Sequence, residues 1–206
     1  SGFRQTDAIL LGPLGEYRVV FRDSGAATTT PITPTLVLFP LLPGSAAIDA
    51  GAGSLIFTPP PSSDCPLTDQ RGVSRPQGSA CDIGAFESQG FTLAKTGGDE
   101  QSTPWGSPFA NPLSASVSSS HDEPVDGGKI TFAGPLSGAG VVPITQTATV
   151  AGGVVSVTMT ANDVVGAYSV TVAASGAQPI AFSLTNLKHA TQTSMQSNLN
   201  PAPYSQ

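Results

Sequence analysis

Charge is scarce in this chain. Asp, Glu, Lys and Arg together make up 11% of its 206 residues, about half the usual share. Only eight are Lys or Arg and they form no basic stripe, which argues against nucleic acid as a partner. Aromatics amount to 6%, with a single tryptophan, so ring platforms for stacking sugars or bases are few. No apolar run approaches the ~18–20 residues of a membrane-spanning helix. Runs of Ala, Leu, Glu, Lys and Arg are missing as well, and long helices with them. The two histidines, His121 and His189, lie far from each other and from both cysteines, so no metal-ligand spacing forms. No cofactor is implied.

Glycine (23), proline (19) and abundant Ser and Thr take the place of the charges. That mixture fits many short strands joined by tight turns, and an all-β fold follows. From Pro108 to Leu187 apolar and polar residues alternate at period two. Leu113, Ala115 and Val117 form one such set, Ile130 and Phe132 a second, and Tyr168, Val170 and Val172 a third. Ile180, Phe182 and Leu184 form a fourth. Ile144–Val150, the pair Gly152-Gly153 and Val154–Met159 read as a hairpin. Short strands at this spacing predict an antiparallel sandwich. Residues 91–107 read as a junction, with Phe91–Ala94 a candidate first strand and Trp105 a packing residue. Residues 188–206 read as a polar tail or linker, with a strand over Thr191–Leu199 as the alternative.

The most specific stretch runs from Leu42 to Glu87: LPGSAAIDAG, a Pro-rich interruption, then CPLTDQRGVSRPQGSACDIGAFE. It resembles the closing segment of the right-handed parallel β-helix in large bacterial surface proteins, whose last coils carry AIDAG and TDQRG…RP…CDIGAFE. The resemblance implies that residues 1–90 are terminal coils and a cap, and that the chain begins near the end of such an architecture. The following 80 residues resemble bacterial immunoglobulin-like repeats of the invasin/intimin type. The carriers are PVDGGKITF at Pro124–Phe132, GAYSVTV at Gly166–Val172 and AFSLTNL at Ala181–Leu187. The expected architecture is thus the end of a right-handed parallel β-helix plus an Ig-like antiparallel β-sandwich over 108–187.

Two cysteines permit one intramolecular bridge. A Cys65–Cys81 disulfide would close a loop of about 17 residues and contribute roughly 3 kcal/mol; two buried thiols are the alternative. An oxidised pair implies an extracytoplasmic location. The acids and bases Asp49, Asp64, Asp69, Arg71, Arg75, Asp82 and Glu87 have the composition of a glycosidase site, which needs two carboxylates in an open groove. Their place beside the loop favours a structural role instead. Asp49, Asp69, Arg71, Arg75, Asp82 and Glu87 are expected to tie the loop to the last coil through bidentate hydrogen bonds. Asp122, Glu123 and Asp126 read as solvated turn acids, with weak calcium binding as the alternative. The expected function is extracellular, non-enzymatic and structural or adhesive: a stalk or filament building block assembling through strand edges. Its expected partners are further copies or neighbouring repeats, with host, matrix or glycan contacts besides. A carbohydrate-binding or carbohydrate-active module is the rival.

Overall fold

The computed structural model describes residues 9–13, 15–18, 35–51 and 65–191. These contain strands and turns but no helix. In chain order the strands are β1 (Gly15–Arg18), β2 (Thr35–Leu38), β3 (Thr92–Gly97), β4 (Gln101–Pro104), β5 (Leu113–Ser118) and β6 (Lys129–Ala133). They continue with β7 (Val141–Val142), β8 (Thr145–Thr149), β9 (Val154–Val157), β10 (Thr160–Ala161), β11 (Gly166–Ala173) and β12 (Ile180–Leu187). A five-stranded sheet has the order β4-β12-β11-β6-β8, and a three-stranded sheet the order β3-β5-β9. Pairing is antiparallel throughout except for β4, which runs parallel to β12. Pairs β1–β2 and β7–β10 complete the set.

Period-two alternation decides which side chains are buried. Leu113, Ala115 and Val117 of β5 share one core with Val155 and Val157 of β9. Ile130 and Phe132 of β6, Val170 and Val172 of β11, and Phe182 and Leu184 of β12 join them from the other sheet. The two sheets therefore pack their apolar faces against each other, and burial of that surface at roughly 25 cal/mol per Å² drives the folding of this part. The outer face of the five-stranded sheet carries Thr131, Thr147, Ser169, Thr171, Ser183 and Thr185, none fully buried.

The candidate strand at Phe91–Ala94 is present as β3 (Thr92–Gly97), and two features go beyond the sequence expectation. The stretch 91–107 supplies β3 and β4, one to each sheet, and is thus part of the sandwich ladders. The Gly152-Gly153 turn exists, with both residues at positive φ (60° and 69°) and reciprocal bonds between Ala151 and Val154. The ladder stops at that one pair: β8 continues beside β6 and β9 beside β5. A two-residue turn at a sheet edge can pass the chain from one layer to the other.

Parallel coils are not among the described elements of residues 9–90. This region shows the antiparallel β1–β2 pair and the antiparallel bridges Leu11–Leu41 and Thr68–Ser74. Much of the expected coil region, with Asp64 and the Pro-rich interruption, lies outside the described residues, as does most of Thr191–Leu199. What is described sits on one end of the sandwich. Lys129 N–H donates to the Pro43 carbonyl (2.9 Å) and Gly44 N–H to that of Ser175 (3.1 Å). Gly44 has φ 79°, and a Cβ there would collide with the Lys129 carbonyl. Leu41, Ala47, Ile48 and Phe91 form a small second core against Val125 and Ala177.

Candidate functional site

The quoted motif residues converge on one buried network. Cys65 and Cys81 form a disulfide with Cα atoms 6.0 Å apart, enclosing the turn that carries Asp69 and Arg71. Asp69 acts as the hub of that turn, as Asp does when its carboxylate binds backbone N–H groups a few residues ahead. Its Oδ1 accepts from the N–H groups of Arg71 (2.7 Å) and Val73 (3.0 Å). Its Oδ2 accepts from Arg71 Nε (2.8 Å) and Glu87 N–H (3.0 Å). Burial pushes the Asp69 pKa up, but the Glu87 and Val73 donors and the Arg71 guanidinium outweigh it and hold the group below its ordinary value.

Both arginines spread their donors over carbonyls as well as carboxylates. Arg71 Nη2 donates to the Glu87 carbonyl, and its guanidinium lies 3.5 Å above the Phe86 ring. Arg75 donates to the carbonyls of Asp82 (3.0 Å) and Gly84 (2.7 Å), with its Nε 3.6 Å from Glu87 Oε2. Glu87 is fully buried and accepts from the N–H groups of Gln77 and Asp82, both at 2.9 Å. Asp82 accepts from those of Asp49 (2.8 Å) and Ser88 (2.6 Å). Burial raises the Asp82 pKa to about 6, with further upward push from Glu87 and Asp49, against the two N–H donors. Asp49, at φ 56°, accepts from Ala80 N–H (3.1 Å).

The sequence reading missed the member that leaves this block. Glu123 is buried (5% exposed) and reaches from the sandwich into the network. It accepts from Ser88 Oγ (2.8 Å) and Gln89 N–H (3.0 Å) and lies 3.6 Å from Arg71 Nη1. Burial pushes its pKa up. Its neighbour Asp122 is exposed, and Asp126 caps the Gly153 N–H (2.8 Å), so the three acids do not form a cluster. Nothing in the local sequence separates Glu123 from those two acids; only the fold does. Ser88 and Gln89 follow the motif directly and carry no signal of their own.

Three of the five carboxylates, Asp69, Glu87 and Glu123, lie against the two guanidinium groups, while Asp49 and Asp82 are held by backbone N–H donors. Such charge-assisted bonds are roughly twice as strong as neutral ones. The arrangement fixes loops; its carboxylate oxygens are engaged by the chain's own donors. Beside it lies a polar cleft of about 530 Å³ between the motif block and the sandwich, lined by Asp49, Gln77, Asp82, Gln89 and Gln178 among others. Among the described residues no group of three or more His, Cys, Asp or Glu is placed to hold a metal ion. No described helix is long and apolar enough to cross a membrane. His189 packs edge-on against Trp105, with centroids 4.9 Å apart, at the far end of the sandwich. Comparison of the chain with family models, curated proteins and solved structures returned no match.

Proposed function

We propose that this chain is a non-enzymatic structural segment of an extracellular surface protein, a stalk or filament building block that joins its neighbours through strand edges. In this reading residues 1–90 close a β-helix and the following strands form an Ig-like sandwich. The observation that carries it is the commitment of the motif's carboxylates to backbone donors, with Glu123 fastening the motif block to the sandwich. An acid that must bind and protonate a substrate needs a free oxygen in an open groove. These oxygens hold loops in place. The sheet order supports the Ig-like part: the first strand is split between the sheets, and β12, β11, β6 and β8 follow the order of the G, F, C and C′ strands. The disulfide is compatible with an extracytoplasmic site.

Force spectroscopy tests the mechanical role. The oxidised chain should unfold with 16 residues of spacing hidden behind the Cys65–Cys81 bridge. Reduction should lengthen the released contour by roughly 50 Å at ~3.3–3.6 Å per residue. Release of new sugar ends from a polysaccharide, lost in a folded Asp69→Asn variant, would sink the non-enzymatic reading. A glycan-binding role is favoured only by the polar cleft. A glycan-array signal that disappears in Gln178→Ala would support it.

A further inference from the structure

Four strands form the edges of the two larger sheets: β4 and β8 in one, β3 and β9 in the other. Natural sheets guard such edges with charge, proline, irregular register or a covering loop. Three of these are guarded. Strand β3 carries Lys95, ion-paired to Asp99, and shifts register between Lys95 and Gly97. Strand β4 ends at Pro104 and is tied through the Gln101 side chain to both backbone groups of Asn111. In β9 the Val154 N–H and C=O are both taken by Ala151. Gly153 faces β5, since its carbonyl accepts from Val117 N–H, so by alternation only Ser156 in that strand turns its backbone groups outward.

Among the described residues strand β8 has none of these guards. Thr145–Thr149 reads TQTAT, without charge, proline or bulge. The Ile144 carbonyl accepts from Gly134 N–H (2.7 Å) and Val150 N–H donates to the Gly128 carbonyl (2.8 Å). Even-numbered residues therefore face β6, and the N–H and C=O groups of Thr145, Thr147 and Thr149 point away from it. Those groups have no backbone partner among the described residues, and all three side chains are exposed.

We infer that β8 pairs antiparallel with β8 of a second copy of this chain about a two-fold axis at Thr147, joining the two five-stranded sheets into one. A two-fold contact must be self-complementary. In this register Thr147 meets its own counterpart and Thr145 meets Thr149, so on the exposed face threonine meets threonine, a favourable cross-strand pair, while Gln146 meets Ala148 on the other face. The strand already shows that chemistry on its other side, where the Thr131 and Thr147 hydroxyls lie 3.2 Å apart. Charge does not bar this partner. Each chain carries −6, so two copies repel least across an edge with no charge of its own. A single strand pair is a small contact and the free dimer is weak. Tethering neighbouring copies on a surface raises their effective concentration and makes such an edge useful. The inference rests on the edge-assembly reading above and names its edge and partner.

Sedimentation velocity of the full oxidised chain over a wide concentration range tests it. The unaltered chain should show a concentration-dependent dimer. Thr147→Lys sets two ammonium groups side by side on the axis and should weaken that dimer by about tenfold or more. Facing residues of a hydrogen-bonded antiparallel pair have Cα atoms about 5.5 Å apart, within disulfide range. Thr147→Cys should therefore oxidise to a covalent dimer bridged through position 147 in both copies, whereas Thr149→Cys should not. A dimer indifferent to Thr147→Lys, or bridging equally well from position 149, overturns the β8 pairing and leaves assembly through another edge standing. A monomer at every concentration with no bridging from position 147 overturns both.

Discussion

Asp82 and Asp69 belong to one network yet titrate in opposite directions, and the difference is a matter of what reaches each oxygen. Asp69 has a guanidinium and three N–H donors, so its pKa falls below 3.8 despite burial. Asp82 has two N–H donors and two acidic neighbours, and burial carries it to about 6. Between pH ~4 and ~6 the folded chain then holds a proton on Asp82 that the unfolded chain has lost. Stability contributed by that proton is present below the unfolded value and lost as pH rises through the folded one. Glu123, raised by burial, adds in the same sense, while Asp69 acts oppositely at lower pH. Urea unfolding should therefore show stability falling from pH ~4.5 to ~7, by up to roughly 2–3 kcal/mol from Asp82. Asp82→Asn should flatten that slope; an unchanged slope in the variant would assign it to another group. At this scale the motif's wording already pointed to Asp69, Arg71 and Arg75 beside Glu87, because they lie in one turn and the segment that closes it. Glu123 was hidden because its partners lie 34 and 35 residues away.

Within the strands, alternation told more about faces than about neighbours. Strands β5, β6, β11 and β12 lie where period two places them, and the inward parity of β12 runs Ile180, Phe182, Leu184 and then Asn186. That last residue could have been flagged from parity alone as a polar side chain aimed into the core. It is fully buried, and its Nδ2 donates to the carbonyls of Gly140 (2.9 Å) and Val164 (3.1 Å) and to Asn162 Oδ1 (2.9 Å). Its Oδ1 accepts from the Tyr168 hydroxyl (2.9 Å), whose pKa burial pushes up to about 12. One side chain thus holds two loops and β11 onto β12. Asn186→Leu keeps the branched shape but strands those groups, and should cost about 2–4 kcal/mol in chemical denaturation. Thr185→Ala, one residue along on the outer face, should stay within about 0.5 kcal/mol. What parity could not supply is the ladder partner. The glycine turn at 152–153 suits a hairpin and a change of sheet equally, and the choice follows from β6 and β5 each offering an edge.

The motif block and the sandwich meet through three kinds of contact. Backbone bonds join Pro43 to Lys129 and Gly44 to Ser175, the small core gathers Ile48 and Phe91 with Val125 and Ala177, and Glu123 bridges to Ser88 and Gln89. The sequence resemblance pointed to a cap, but what the motif block rests on is decided by contacts across long separations that no local pattern encodes. Of the three, only the Glu123 bridge depends on a single side chain. Glu123→Ala leaves Ser88 Oγ and Gln89 N–H without their acceptor in a buried place, a loss of about 1–3 kcal/mol. Its effect should fall on the docking rather than on the sheets. Amide exchange separates the two, because sub-global opening is reported region by region. In the unaltered chain the Asp82 and Ser88 amides, bonded to Glu87 and Asp82, should share the protection of Val172 in the sandwich core. In Glu123→Ala, Asp82 and Ser88 should lose roughly tenfold to a hundredfold of theirs while Val172 changes little and the lone Trp105, at the opposite end, keeps its fluorescence transition. Equal losses at Asp82 and Val172 would mean that Glu123 supports the whole fold and not the joint.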